Sequence, residues 1–312
     1  MILSAGLTPA WQHILVFDAF RTGEVNRARK AVSCASGKVF NAGITAHHLG
    51  APSLTLSAVG GSTWSQITED LDGLGVPHRF VRTSTSTRTC TTILDCSTGT
   101  ITELVENGRP LGSDELDEFR HAYSEEAGRA EVVVVAGSLP QGTPNAVYRE
   151  LVANTTCPLV LDFRGEGLLS VLDLEPYVIK PNREELESTL GVQFANDDEL
   201  LRAMRMLNER GARWVVVTQG AKPVWITSIH ETYRLHLPAI CDLVNPIASG
   251  DAMAATIAWA SWAGRSLPDA VCFALAAAAQ NARQLLPCRI DPDQLEAQAD
   301  LIQVEQVRRT GR

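Results

Sequence analysis

Glu131-Val132-Val133-Val134-Val135-Ala136 decides the fold. Four consecutive β-branched residues without polar alternation are what a strand buried on both faces requires. Outward toward the C-terminus, apolar runs recur at Pro158–Phe163, Tyr177–Lys180 and Arg213–Thr218. Between these runs lie amphipathic stretches of helical length, Pro144–Ala153, Arg183–Leu190 and Asp198–Gly211. Strands alternating with helices predict right-handed βαβ units and a mostly parallel sheet. Toward the N-terminus the pattern changes. His13–Phe20 and Arg88–Val105 intersperse polar residues as antiparallel ribbons do, and Ser97-Thr98-Gly99-Thr100 supplies a hairpin turn. Val39–Gly50 reads as a helix closed by glycine, followed by strand Ser53–Val59 and helix Thr63–Gly75. The expectation is a single α/β domain over residues 1–312, carrying a small β-sheet flap built from about 10–36 and 86–107.

The chain is 45% hydrophobic and 20% charged, and its 23 glycines and 6% aromatic content exclude collagen-like and disordered classes. A net charge of −9 argues against a nucleic-acid or membrane-surface partner, since both need a basic face. A few local Lys and Arg residues still suffice for a small anionic substrate. Seven cysteines without a CxxC pair give neither a zinc cluster nor a disulfide framework, which points to a reducing compartment. The N-terminus lacks the basic flank of a secretory signal. The apolar stretches Met253–Ala263 and Ala270–Ala279 fall short of the roughly 18 residues a membrane span needs. A cytoplasmic location is expected.

Chemistry concentrates in three segments. Asn245-Pro246-Ile247-Ala248-Ser249-Gly250-Asp251 runs into the apolar helix Ala252–Ala263. A helix start presents unpaired N–H groups and positive potential, and small residues let a phosphate approach them. An aspartate on the same turn can accept a proton from an attacking hydroxyl while the amides hold the transferring phosphoryl group. The plainer alternative is that Ser249 or Asp251 caps the helix. Lys180-Pro181-Asn182-Arg183-Glu184-Glu185-Leu186 ends one strand and opens a helix. Asn182 and Glu185 can hold Mg²⁺ through water or form a capping box. Thr218-Gln219-Gly220-Ala221 ends the next strand, where a nucleotide can lie. All three segments fall at the carboxyl edge of the expected parallel sheet, the edge that binds ligands in open α/β folds.

With these motifs, Gly23-Glu24-Val25-Asn26-Arg27 and Ala136-Gly137-Ser138-Leu139-Pro140, the chain resembles the PfkB family of carbohydrate kinases over nearly its whole length. It is most similar to the branch containing 1-phosphofructokinase and tagatose-6-phosphate kinase. The resemblance implies a ribokinase-like three-layer fold with a β-sheet lid, ATP and Mg²⁺ as cofactors, and a homodimer paired through the lid. It makes Asp251 the catalytic base and Ala248, Ser249 and Gly250 the anion hole. Asn182 and Glu185 would organise the metal through water; Asn182, Thr218, Gly220 and Asn281 would serve the nucleotide, with Asn281 in the adenine pocket. On the acceptor side, Ser36-Gly37-Lys38-Val39-Phe40-Asn41 aligns with a glycine-lysine segment whose Lys38 and Asn41 would contact a sugar phosphate. Arg88 and Ser138 would meet the same phosphate.

The chain departs from the family pattern at four positions. Gln12, in Thr8-Pro9-Ala10-Trp11-Gln12, replaces an aspartate that grips sugar hydroxyls. Val39 and Ala248 replace glycines, and Pro223 removes an N–H donor near the nucleotide. The leading expectation is ATP-dependent phosphorylation of a hydroxyl on a hexose phosphate of the fructose 1-phosphate or tagatose 6-phosphate type. Lys38 and Arg88 supply its cationic seat. The alternatives are a kinase of an unphosphorylated sugar and a non-catalytic sugar- or nucleotide-binding homologue. A dinucleotide oxidoreductase is disfavoured because no strand-following GxGxxG occurs near the start.

Overall fold

The computed structural model describes residues 1–309. The strands are β1 Ile2–Gly6, β2 Ala10–Phe17, β3 Lys30–Ser36, β4 Ser53–Gly60, β5 His78–Thr83, β6 Arg88–Asp95 and β7 Thr100–Val105. They continue with β8 Val132–Ala136, β9 Leu159–Asp162, β10 Val178–Ile179, β11 Trp214–Gln219, β12 Lys222–Thr227, β13 Glu231–His236 and β14 Gln303–Arg309. The helices are α1 Lys38–His48, α2 Trp64–Gly73, α3 Ser113–Ala127, α4 Ala146–Ala153 and α5 Glu166–Leu169. After them come α6 Arg183–Leu190, α7 Asp197–Glu209, α8 Ser249–Trp262, α9 Leu267–Ala282 and α10 Leu295–Ala299.

Ten strands form the main sheet in the order β14-β13-β12-β11-β10-β9-β8-β1-β4-β5. From β11 to β5 every pairing is parallel, and β12, β13 and β14 add an antiparallel extension. The valines of β8 show why the sheet has two covered faces. Val132 and Val134 enter one core with α1, α8 and α9, while Val133 and Val135 enter the other with α3, α4 and α7. Helix α8 is apolar on nearly every side and its residues from Ala252 to Ala258 are buried, so its first turn is anchored in the core.

The second sheet has the order β3-β2-β6-β7. It differs from the expected pair of antiparallel ribbons in one respect: β2 and β6 run parallel, from Ala10 opposite Arg88 to Phe17 opposite Asp95. The long connection through β3, α1, β4, α2 and β5 makes that geometry available, as a tight hairpin would not. The antiparallel ladders are β2 with β3 and β6 with β7, the latter turning at Gly99 with φ +68°. Among the described residues no helix is long and apolar enough to cross a membrane.

Candidate active site

Several polar side chains meet where β9, β10, α1 and α8 come together. Asp251, on the first turn of α8, is buried, and its Oδ2 accepts a hydrogen bond from Asn41 Nδ2 at 2.7 Å. Asn41 is itself fixed by Ser36 Oγ, which lies 3.1 Å from Asn41 Oδ1. Burial, followed by the negative charge of Asp162, pushes the Asp251 carboxyl up from the ordinary aspartate range to about 6. A carboxylate so placed is ionised near neutral pH yet basic enough to take a proton from a hydroxyl.

Asp162, at the end of β9, is 1% exposed and lies between two ammonium groups. Lys38 Nζ donates to its Oδ1 at 2.9 Å, and Lys180 Nζ stands 3.4 Å from its Oδ2. Burial alone would raise the Asp162 carboxyl, but Lys180 and Lys38 together hold it below the usual range. Lys38 also donates to Glu185 Oε1 at 3.1 Å. Burial would depress this ammonium, but Asp162 and Glu185 outweigh it and raise the group. Glu185 closes the circuit through a capping box on α6: Asn182 Oδ1 accepts from Glu185 N at 2.7 Å, and Glu185 Oε2 accepts from Asn182 N at 2.9 Å. The cap and the charged network therefore share the same two residues.

The mouth of α8 carries a strained residue. Ala248 sits at φ +69°, ψ 2°, a left-handed conformation that costs a residue with a Cβ about 1–2 kcal/mol. Asn281 of α9 holds this turn in place. Its Nδ2 donates to Ile247 O at 2.8 Å and to Ser249 Oγ at 3.0 Å, while its Oδ1 accepts from Cys288 N at 2.7 Å. Cys288, itself at φ +61°, places Sγ 3.8 Å from Ala248 O. Asn281 is 1% exposed with both donors engaged, so it braces the turn before α8. Lys180 Nζ lies 3.4 Å from the point a Cβ on Gly250 would occupy, which puts a cation beside the same turn.

Near the end of β11, Thr218 forms a parallel bridge with Asn182. Gly220 turns β11 into β12 at φ +63°, with open space where a side chain would project. Pro223 lies beside a register shift between these strands, where a missing N–H is tolerated, and its carbonyl accepts from Gln219 Nε2 at 3.0 Å.

The residues expected to meet the acceptor gather around Thr8 and Pro9. Gly37 precedes α1 at φ +89°, and a Cβ there would meet Thr8 O at 3.0 Å and Ala10 N at 3.1 Å, so the close approach demands glycine. Thr8 Oγ1 donates to Ser138 O at 2.8 Å. Val39 is an ordinary buried residue of the first turn of α1. Four residues of the expected acceptor set have protein partners. Asn41 serves Asp251, and Lys38 is spanned by two carboxylates. Arg88 donates to Thr8 O, Pro9 O and Glu106 O at 3.0, 3.3 and 3.1 Å, fastening the small sheet to the main one. Gln12 is 5% exposed and donates to Thr92 Oγ1 at 2.8 Å within the small sheet.

Asp162 had no role in the sequence reading, and Lys180 appeared there only as part of a motif. The available signal was an acid directly after Leu159-Val160-Leu161, at the carboxyl end of a parallel strand. Asp162 Oδ2 is buried and accepts no hydrogen bond. Glu185 shares Lys38 with it, and Asn182 is paired with Glu185 through the cap. Among the described residues no three His, Cys, Asp or Glu side chains cluster closely enough to cage a metal ion. The donor set suits an ion that retains water and phosphate oxygens, as Mg²⁺ does.

The family model described as pfkB family carbohydrate kinase matches residues 3–293. Among solved structures, a Thermotoga maritima protein described as a possible 1-phosphofructokinase superposes with a TM-score of 0.91 at 22% identity, covering 99% of this chain and 100% of its own. Phosphofructokinase-2 from Escherichia coli in complex with fructose-6-phosphate gives 0.83 at 21% identity, covering 96% and 99%. The tetrameric inhibited form of that E. coli protein gives 0.85 at 21% identity, with the same coverages. These likenesses are of fold.

Proposed function

The chain belongs to the pfkB family of carbohydrate kinases, and from that premise we propose that this ATP-dependent sugar kinase phosphorylates a hydroxyl of a hexose phosphate of the fructose 1-phosphate or tagatose 6-phosphate type. The observation that carries the chemistry is Asp251: a buried carboxyl near 6, oriented by Asn41, on the first turn of α8. Asp251 takes the proton of the attacking hydroxyl, and the amides of Ala248 and Gly250, beside that of Ser249, which donates to Pro246 O at 3.1 Å, stabilise the transferring phosphoryl group. Lys180 adds positive charge beside that turn. Asp162, Glu185 and Asn182 would hold Mg²⁺, which supplies neutralisation of phosphate charge when bound. Two ammonium groups face three carboxyls here, so an added cation suits the polyanionic nucleotide.

The small sheet stands beside Thr8 and Gly37 as a lid over the acceptor, excluding water from the transfer. Its outer strand β7 leaves Leu104 and Val105 55% and 56% exposed, and we assign pairing of two copies to this sheet. All seven cysteines are free, in keeping with a cytoplasmic setting.

A second reading, a kinase of an unphosphorylated sugar, draws on the engagement of Lys38 and Arg88 by protein partners. A panel of sugars and sugar phosphates with ATP and Mg²⁺, scored by coupled ADP formation, separates the two. Turnover of hexose phosphates alone supports the first, and turnover of neutral sugars alone replaces it. Nucleotide binding without acceptor-dependent ADP release would overturn both.

A further inference from the structure

We propose that Arg164, just past the carboxyl end of β9, engages the γ-phosphoryl group of the nucleotide and stabilises it during transfer. The inference rests on the phosphoryl-transfer reading, deepens it, and holds for either class of acceptor. Its starting point is charge. The ammonium groups of the site are Lys38 and Lys180, and its carboxyls are Asp162, Glu185 and Asp251. Lys38 donates to two of these carboxyls, and Lys180 stands 3.4 Å from Asp162. Neither keeps its charge uncommitted for a polyanion. Arg164 does: the residue is exposed, and its side chain makes no hydrogen bond or ion pair among the described residues. Five N–H donors on a planar fork suit phosphoryl oxygens.

The backbone of Arg164, by contrast, is fixed from both sides of the site. Before it, Phe163 stacks on Tyr148 with ring centroids 3.8 Å apart and planes within 3°, and the Tyr148 hydroxyl donates to Gly137 O at 2.5 Å. Gly137 N donates in turn to Asp162 O at 3.1 Å, which ties this side to Ser138. After it, Gly165 N donates to Thr189 Oγ1 at 2.9 Å, and Thr189 Oγ1 donates to Glu185 O at 2.6 Å. Glu185 is the residue that meets Lys38 and caps α6 with Asn182. Arg164 therefore stands between Ser138, expected to meet the acceptor, and Asn182 and Glu185, expected to meet the metal and nucleotide. A phosphoryl group passing from one to the other crosses this point. Arg164 lies two residues from Asp162, at most about 7 Å of chain, and an extended arginine covers a similar distance. A fixed stem with an uncommitted head suits electrostatic stabilisation of a transition state. In the transfer Asp251 accepts the hydroxyl proton and the hydroxyl oxygen bonds to the γ-phosphorus. The bond from that phosphorus to the bridging oxygen breaks, and ADP leaves with the electron pair. Arg164 keeps its protons throughout and donates hydrogen bonds to the phosphoryl oxygens.

The test compares the parent protein with Arg164→Ala, Arg164→Lys and, as a control at an exposed cation of α7, Arg202→Ala. Calorimetry reads the binding of ATP and of ADP, each with Mg²⁺ and without acceptor. A coupled assay reads kcat and KM, and the denaturant midpoint reports folding. Arg164→Ala should bind ATP about tenfold more weakly and ADP as the parent does, with kcat lower by about 10- to 100-fold. Arg164→Lys should fall between it and the parent, Arg202→Ala should match the parent, and every denaturant midpoint should stay in place. Parent-like ATP binding and kcat in Arg164→Ala overturn the assignment and leave the phosphoryl-transfer reading standing. A loss shared equally by ATP and ADP, or confined to the KM of the acceptor, overturns it as well. If the parent itself binds nucleotide without acceptor-dependent ADP release, both fall.

Discussion

Asp162, Lys180 and Asp251 are 1%, 3% and 8% exposed and face charged or amide groups at short range, whereas Arg109 keeps half of its side chain in solvent and meets Glu106 only at 3.8 Å. The first region is preorganised: its charges were desolvated during folding and move little when substrate arrives. The second is left adjustable. The contrast separates a buried charge network that folding has fixed from a surface arginine that mutation can alter without unfolding the protein.

The largest effect expected at the rigid end is on turnover. Asp251→Asn should retain ATP affinity and lose kcat by about 10²–10⁴-fold in the coupled assay; parent-like kcat would remove the base assignment. In the parent, kcat/KM should fall about tenfold per pH unit below about 6 as Asp251 protonates.

Next comes stability. Asp162→Asn leaves two ammonium groups without the carboxylate between them, and a loss of about 3–5 kcal/mol in denaturant titration at pH 7 is expected. Acid should narrow that deficit. Asp162 is held below its ordinary value, so its contribution is present above the unfolded-state value and is lost as pH falls through the lowered one.

Asp251 has the opposite sign. Its carboxyl is raised from 3.8 to about 6, so the contribution of the protonated form is complete below about 3.8 and is lost as pH rises through 6. Asp251→Asn should accordingly be more stable than the parent by about 2–3 kcal/mol at pH 8, with the gap closing near pH 4. The smallest effect is at the mouth of α8: Ala248→Gly should relieve the left-handed strain and raise stability by about 1 kcal/mol. No gain, or a loss, would mean that the turn imposes no strain on Ala248.

The parallel half of the main sheet was legible because strands buried on both faces leave continuous apolar runs, as in Val132–Val135. β3 and β14 were not, since edge strands with one or two solvent-facing sides carry Lys, Ser, Gln and Glu that read as loop. Pro223 hid β12 in the same way. Asp251 stood out because its small-residue turn joined two further segments at the same sheet edge and resembled a family motif; alone the turn read as a helix cap. Asn182 and Glu185 left two readings open, and the fold uses the cap to aim Glu185 at Lys38. The protein partners of Asn41 and Asn281 were not legible. A sequence fixes which helix such a residue occupies, while its partner depends on how α1, α8 and α9 cross.

The brace from Asn281 and Cys288 to the turn before α8 has a consequence for genetics. A selection for inactive variants should recover substitutions at 281 and 288 alongside those at 251, although neither position need touch a ligand. Chemical complementation will not rescue them, because what they have lost is the shape of a backbone and not a functional group.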